Sequence, residues 1–179
     1  MHNFIIETHN LIIRKFTPED WSDLAEILTD EEVVYYEPYE VFTVDKCKDE
    51  AVNFANSDSF FAVILKDNNK VIGKLYFNDQ KEYDTYELGY TFNKSYQGKG
   101  YAKESSLALI KYAFSKMNVR RIIAEADVTN ERSWHLLEKL GLRREGKFVD
   151  SCYKFTDENG KPVWKSIYSY AILNSEFVL

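Results

Sequence analysis

The 179-residue chain is predicted to fold as one α/β domain spanning residues 1–179, and three observations carry that prediction. Segments with strand-like composition are interleaved with segments of helical apolar spacing. A glycine-containing turn, Gln97-Gly98-Lys99-Gly100-Tyr101-Ala102, sits between one such strand and one such helix. The chain holds no internal repeat, low-complexity tract or flexible linker, and its length suits a single sizeable core.

Taken in order, Leu11 to Phe16 reads as the first strand. Thr17-Pro18-Glu19-Asp20 then signals a helix start, with threonine as N-cap, proline at the first helical position and acids in the first turn. Trp21, Leu24, Ala25 and Leu28 supply that helix with an apolar face. A second helix runs from Val44 to Asn56 behind a Thr43 cap. Phe60–Lys66 and Lys70–Asn78 form a hairpin around Asp67-Asn68-Asn69. The loop 79–85 leads into Tyr86–Phe92, a strand by its aromatic content. Beyond the glycine turn, Ala102, Ser105, Leu109, Ala113 and Met117 recur at helical spacing, with Ser106, Ile110 and Phe114 beside them. Arg121–Ala126 is the next strand, and a helix follows that ends at Gly141. Two late strands, near Arg144–Lys154 and Lys165–Leu173, are joined by a turn at Asp157-Glu158-Asn159-Gly160.

Composition narrows the function classes. A formal net charge of −6 argues against general nucleic-acid binding and suits a cationic acceptor such as an amine. No run of about 18 apolar residues is present, so no membrane span is expected. The start, Met1-His2-Asn3-Phe4-Ile5-Ile6-Glu7, lacks the basic end and long apolar stretch of a signal peptide, and a cytoplasmic location is the simplest expectation. Cys47 and Cys152 are far apart and outside any metal-ligand pattern, so both are expected to be buried apolar residues, with no metal site.

The glycine turn carries the sharpest chemistry. Two glycines let the backbone turn tightly and leave amide N–H groups uncovered at a helix start. Those donors, with the positive end of the helix dipole, suit a pyrophosphate. Lys99 and Lys103 add charge beside them. A Walker loop is excluded, because Gly100 is followed by Tyr101 rather than by Lys-Ser/Thr. A dinucleotide fingerprint needs a small residue at position 103, where this chain has lysine.

The pattern Gln-x-x-Gly-x-Ala, Gln97 to Ala102, resembles the acetyl-CoA pyrophosphate loop of the GNAT acetyltransferases. Asn130-Glu131-Arg132-Ser133, leading to Glu138-Lys139-Leu140-Gly141-Leu142, is similar to the family's Asn-x-x-Ser/Ala turn and the helix after it. Leu11-Ile12-Ile13-Arg14, Glu87-Leu88-Gly89-Tyr90 and Arg143-Arg144-Glu145-Gly146 resemble the Rim-type branch, which acetylates protein N-termini. Together these segments span roughly residues 10 to 175. The resemblance implies a mixed, mostly antiparallel sheet flanked by helices, with a splayed central strand pair. Acetyl-CoA is the implied donor and no metal is implied. The implied partners are an amine-bearing protein, peptide or small molecule, without nucleic acid or membrane, and a homodimer stays open.

In the transfer so implied, an amine attacks the thioester carbonyl, an oxyanion forms and the CoA thiolate leaves. The resemblance gives the backbone of Tyr90 and Phe92 to the pantetheine arm, and Asn130 and Ser133 to the cofactor side. One of the strand amides could also stabilise the oxyanion, a contribution of roughly 2.7–4 kcal/mol. Strand alternation puts Glu87, Gly89 and Thr91 on one face and Leu88, Tyr90 and Phe92 on the other. With Leu88 in the core, Glu87 faces the cleft and is the first candidate for the base; Glu125 and Asp127 are reserves. Leu137 occupies the position of the family's tyrosine acid, which leaves Ser133 or Tyr90 to protonate the sulfur. That leucine also motivates a rival reading, a CoA-binding sensor without catalysis. Tyr35, Tyr36 and Tyr39, in the segment Tyr35–Glu40 between the first two helices, are placed at the acceptor. The α-amine of a protein or peptide is the leading acceptor, and polyamines and aminoglycosides are the alternatives.

Overall fold

The structure is a computed structural model and describes residues 4–177, so Met1–Asn3 of the segment discussed above and residues 178–179 lie outside the described residues. Eight strands form one sheet: β1 (Ile5–Glu7), β2 (Leu11–Lys15), β3 (Phe60–Leu65), β4 (Lys70–Asp79), β5 (Thr85–Phe92), β6 (Arg121–Asp127), β7 (Arg143–Thr156) and β8 (Pro162–Leu173). Their spatial order is β1-β2-β3-β4-β5-β6-β8-β7. Among the described residues, five α-helices flank the sheet: α1 (Trp21–Leu28), α2 (Glu31–Val34), α3 (Val44–Asn56), α4 (Tyr101–Lys116) and α5 (Glu131–Lys139).

Two-residue alternation along the strands gives each face its own core. In β3, Phe61 and Val63 join α4 and α5 side chains such as Leu109, Ile110, Phe114 and Leu137. Ala62 and Ile64 of the same strand face α1 and α3 instead, against Leu24, Leu28, Cys47 and Phe54. The Thr43 hydroxyl accepts from the Lys46 amide and caps α3, whose bounds are those expected from the sequence. Before α1, Pro18–Asp20 forms a single 3-10 turn, and the Asp20 carboxylate accepts from the Thr17 amide and pairs with Arg14 at 2.7 Å.

All strand neighbours are antiparallel except β5 and β6. This parallel pair has only three register positions, Thr85↔Arg121, Tyr86↔Ile122 and Glu87↔Ile123. Beyond Glu87, β5 continues to pair with β4 as far as Gly73↔Phe92, while β6 turns to β8. The sheet therefore opens on the β6 side of residues 88–92, which is the splay implied by the family resemblance. Gly73 permits the approach at that end: a Cβ there would sit 2.5 Å from the Phe92 ring.

Several expectations need correction. β1 and the one-turn helix α2 are additional elements, each too short to show a hydrophobic period. Met117 is the exposed C-cap of α4 rather than part of its buried stripe, because the helix ends at Lys116. Cys152 is exposed, unlike the buried Cys47. It lies in the long β7–β8 ribbon, where β7 stays largely exposed along its length.

Candidate active site

Gly98 and Gly100 adopt left-handed backbone, with φ +74° and +88°. Gly100 is the N-cap of α4, and no side chain caps that end. The first backbone bond of the helix runs from the Glu104 amide to the Gly100 carbonyl at 3.0 Å. Among the described residues, the amides from Gly98 to Lys103 find no acceptor, and they lie at an exposed helix start. Gln97 is exposed, and its Nε2 donates to the Phe92 carbonyl at 2.9 Å. Lys99 lies 5.2 Å from the Tyr96 ring centroid. The Glu104 carboxylate anchors the helix start to the β1–β2 turn, accepting from Thr8 Oγ1 at 2.6 Å and from the Asn10 amide at 2.8 Å. Burial opposes its charge, but these bonds outweigh burial and hold the carboxyl below its ordinary range.

Tyr90 spans the opening between β5 and the helix after β6. Its hydroxyl donates to the Ser133 carbonyl at 2.8 Å and lies 3.1 Å from Ser133 Oγ. Burial pushes the phenol's pKa well up. Asn130 is the N-cap of α5, its side chain accepting from the Ser133 amide at 3.2 Å. Leu137 is buried in the core, so no proton donor occupies its position. Phe92 is also a core residue and offers only its backbone to the opening.

The face of the sheet towards α1–α3 is acidic where the strands part. Register places Glu87 level with Ile123, so Glu87, Glu125 and Asp127 share this face. Glu87 is half-buried and accepts from Gln80 Nε2 at 3.2 Å. Burial first, and the nearby Glu125 charge second, raise its pKa. Glu125 is exposed and Asp127 is buried. Above the opening, Thr91 donates to Glu37 at 2.8 Å, and the buried Lys74 pairs with the same carboxylate at 3.5 Å.

The three candidate tyrosines do not act as one group. Tyr35 and Tyr36 are exposed, pack edge to face at 4.9 Å and approach Lys165 of β8. Tyr39 packs instead on Phe42, at 5.3 Å, in the second core. Its buried hydroxyl has no partner among the described residues, and burial drives its pKa far up.

Among the described residues, a helix start with unpaired amides thus lies beside a sheet that opens at the parallel β5–β6 pair. A family model for the acetyltransferase (GNAT) domain matches residues 10–143. The chain belongs to the GNAT acetyltransferase family. It is 39% identical over 174 residues to the uncharacterized N-acetyltransferase YnaD of Bacillus subtilis (strain 168), covering 96% of this chain and 98% of that one. The [Ribosomal protein uS5]-alanine N-acetyltransferase of Escherichia coli (strain K12) is 32% identical over 93 residues, 51% of this chain and 48% of that protein. The crystal structure of a GNAT-family acetyltransferase from Bacillus anthracis superimposes with a TM-score of 0.87 at 36% identity, covering 97% of this chain and all 100% of that one.

Within this GNAT acetyltransferase the Rim-like segments have structural work. Arg144 Nε donates to the Tyr170 hydroxyl at 2.8 Å, and its guanidinium pairs with Glu138 of α5 at 2.9 Å. Sequence reasoning placed Glu37 in this region only as part of the segment Tyr35–Glu40, and it missed Lys74, Phe155 and Lys165, which reach the region from separate segments. One signal was available: Lys74 sits inside Val71–Phe77, an otherwise apolar or aromatic run, and a buried lysine needs a carboxylate. Among the described residues there is no cluster of three or more His, Cys, Asp or Glu side chains able to hold a metal, and no helix is long and apolar enough to cross a membrane.

Proposed function

We propose that this GNAT acetyltransferase transfers an acetyl group from acetyl-CoA to the α-amine of a protein or peptide N-terminus, by direct attack in a ternary complex in the cytoplasm. The observation that carries the reading is the opening at Glu87. Unpaired amides lie beyond its far end, and a half-buried carboxylate of raised pKa stands at its start.

The residues present fit the donor. Gln97, Gly98, Lys99, Gly100, Tyr101, Ala102 and Lys103 would hold its pyrophosphate, through amides and lysine charge. The backbone of Tyr90 and Phe92, which has no strand partner on the β6 side although the Phe92 carbonyl already accepts from Gln97, would hold the pantetheine arm, with Asn130 and Ser133 on the cofactor side. When bound, acetyl-CoA supplies the activated acetyl group. Glu87 accepts the acceptor's proton, directly or through water, and its raised pKa makes it a stronger base than an ordinary glutamate. Tyr90 and Ser133 form the hydroxyl pair that can return a proton at the opening. Tyr35, Tyr36 and Tyr39 border or support the acceptor side.

The resemblance to a uS5-alanine N-acetyltransferase supports the α-amine, and the acidic face of Glu87 and Glu125 favours an amine acceptor generally. The test is an acetylation screen of N-terminal peptides, polyamines, aminoglycosides and free amino acids, read by mass spectrometry. Peptide α-amines are expected to give the leading product. Products confined to polyamines or aminoglycosides would move the acceptor to the small-amine class. Tight acetyl-CoA binding without any product would establish a sensor.

A further inference from the structure

The Lys165 ammonium lies 4.4 Å from the Tyr35 ring centroid, 5.4 Å from Tyr36 and 5.6 Å from Phe155. Tyr35 and Phe155 stack at 5.7 Å with their planes 26° apart. Asp127 Oδ2 is 3.4 Å from the same nitrogen. The other Asp127 oxygen accepts from the Thr129 amide at 2.8 Å and from its hydroxyl at 2.7 Å, so among the described residues Oδ2 has only Lys165 opposite it. Both partners are well covered, with side-chain exposures of 15% for Lys165 and 6% for Asp127. Three aromatic rings and one buried carboxylate around one nitrogen make a site for a primary ammonium group.

We propose that Tyr35, Tyr36, Phe155 and Asp127 form an ammonium subsite on the acceptor side, that Lys165 fills it from within the chain, and that Lys165 thereby excludes acceptors carrying a second positive charge. The proposal rests on the N-acetyltransferase reading and specifies its acceptor class: amines whose remaining groups are neutral or acidic, rather than diamines. A second cation entering here would have to displace Lys165 from its carboxylate. It would also meet Lys154, whose ammonium donates to the Val34 carbonyl at 2.8 Å and lies 4.9 Å from the Phe155 ring. Discrimination by an occupied site and a like charge rejects the wrong ligand without added contacts to the right one.

The test compares 1,4-diaminobutane with butylamine, which share a carbon chain and differ by one charge. Lys165→Met keeps the side chain's reach and removes its ammonium; Lys165→Gln serves as the second variant if Lys165→Met does not fold. By calorimetric titration, the variant should bind the diamine about tenfold more tightly than the wild-type chain does, or about 1.4 kcal/mol, with a smaller gain for butylamine, whose single ammonium cannot fill the subsite and the acceptor position at once. The diamine should raise the melting temperature of the variant and leave that of the wild type in place, because its ammonium replaces the partner Asp127 has lost. In the transfer assay the KM for the diamine should fall by a similar factor with kcat little changed. Tyr35→Leu added to Lys165→Met should cancel the gain. Equal diamine affinity in wild type and variant, or a gain indifferent to Tyr35, overturns the proposal. If neither chain acetylates any amine, the transfer reading fails while the titration still decides the subsite.

Discussion

The proposed donor end and the proposed acceptor end of this molecule are built from different materials. The helix start at Gly98–Lys103 is made of consecutive backbone amides, shaped by two left-handed glycines. The acceptor side is made of side chains from the 35–40 segment, β5, β6, β7 and β8, brought together by sheet register. A site of backbone groups is written in one short stretch of sequence and tolerates most side-chain changes. A site of converging side chains depends on each of its members and can differ between proteins that share the first site. Donor chemistry is therefore a property of the family, and acceptor choice a property of this chain.

Three substitutions break or sharpen that contrast. Glu87→Gln acts on the acceptor side and should lower kcat by about 10²–10⁴-fold with acetyl-CoA affinity unchanged. Because Glu87 has a raised pKa, the wild-type rate should start to fall on acidification at a higher pH than an ordinary glutamate would give, and the variant should lose that limb. The sign for stability is opposite. A carboxyl with its folded pKa above the unfolded value contributes stability at low pH and loses it as pH rises through the folded pKa. Glu87→Gln should therefore melt no lower than wild type at pH 7; a lower melting temperature together with an unchanged pH–rate profile would mark Glu87 as structural.

Gly100→Val acts on the donor end. At φ +88° a β-branched residue strains the turn, although a Cβ would meet no atom within 4 Å. A strain of about 1–3 kcal/mol that reshapes the amides should weaken acetyl-CoA binding by roughly ten- to a hundredfold in calorimetry. Wild-type affinity would remove the loop from the donor site. The smallest effect is expected from Ser133→Ala, a rate within a fewfold of wild type, since Asn130 still caps α5 and Tyr90 keeps its bond to the Ser133 carbonyl. A loss beyond about a hundredfold would make the Ser133 hydroxyl an obligatory proton donor.

What the sequence disclosed follows the same division. The Thr43 cap, the turn at 67–69 and the glycines at 98 and 100 are local signals, and the structure has α3, the β3–β4 hairpin and the α4 start where they put them. Position 137 was also legible, and the structure buries its leucine. Pairing across the sheet was not. Nothing near Lys165 in sequence points to Tyr35, and nothing near Glu37 points to Lys74, because β8 reaches β6 and the 35–40 segment only through the finished topology. Cys152 misled for a related reason: apolar composition says that a residue can be covered, and only the reach of the β7–β8 ribbon says whether anything covers it.

The short parallel pair has a consequence for how the molecule opens. Three register positions join β1–β5 to β6–β8, against seven between β4 and β5. The sheet is expected to behave as two cooperative units with a weak joint, buttressed by the core of α4 and by the Tyr90 contact to Ser133. Without ligand, amides of β6 and β8 should exchange with solvent at a free energy below that of β3 and β4. A donor arm lying along residues 88–92 would act as the strand missing from the joint, and at a hundred times its dissociation constant it would add about 2.7 kcal/mol to the folded state. The two exchange rates should then converge, so that the ligand makes one folding unit out of two.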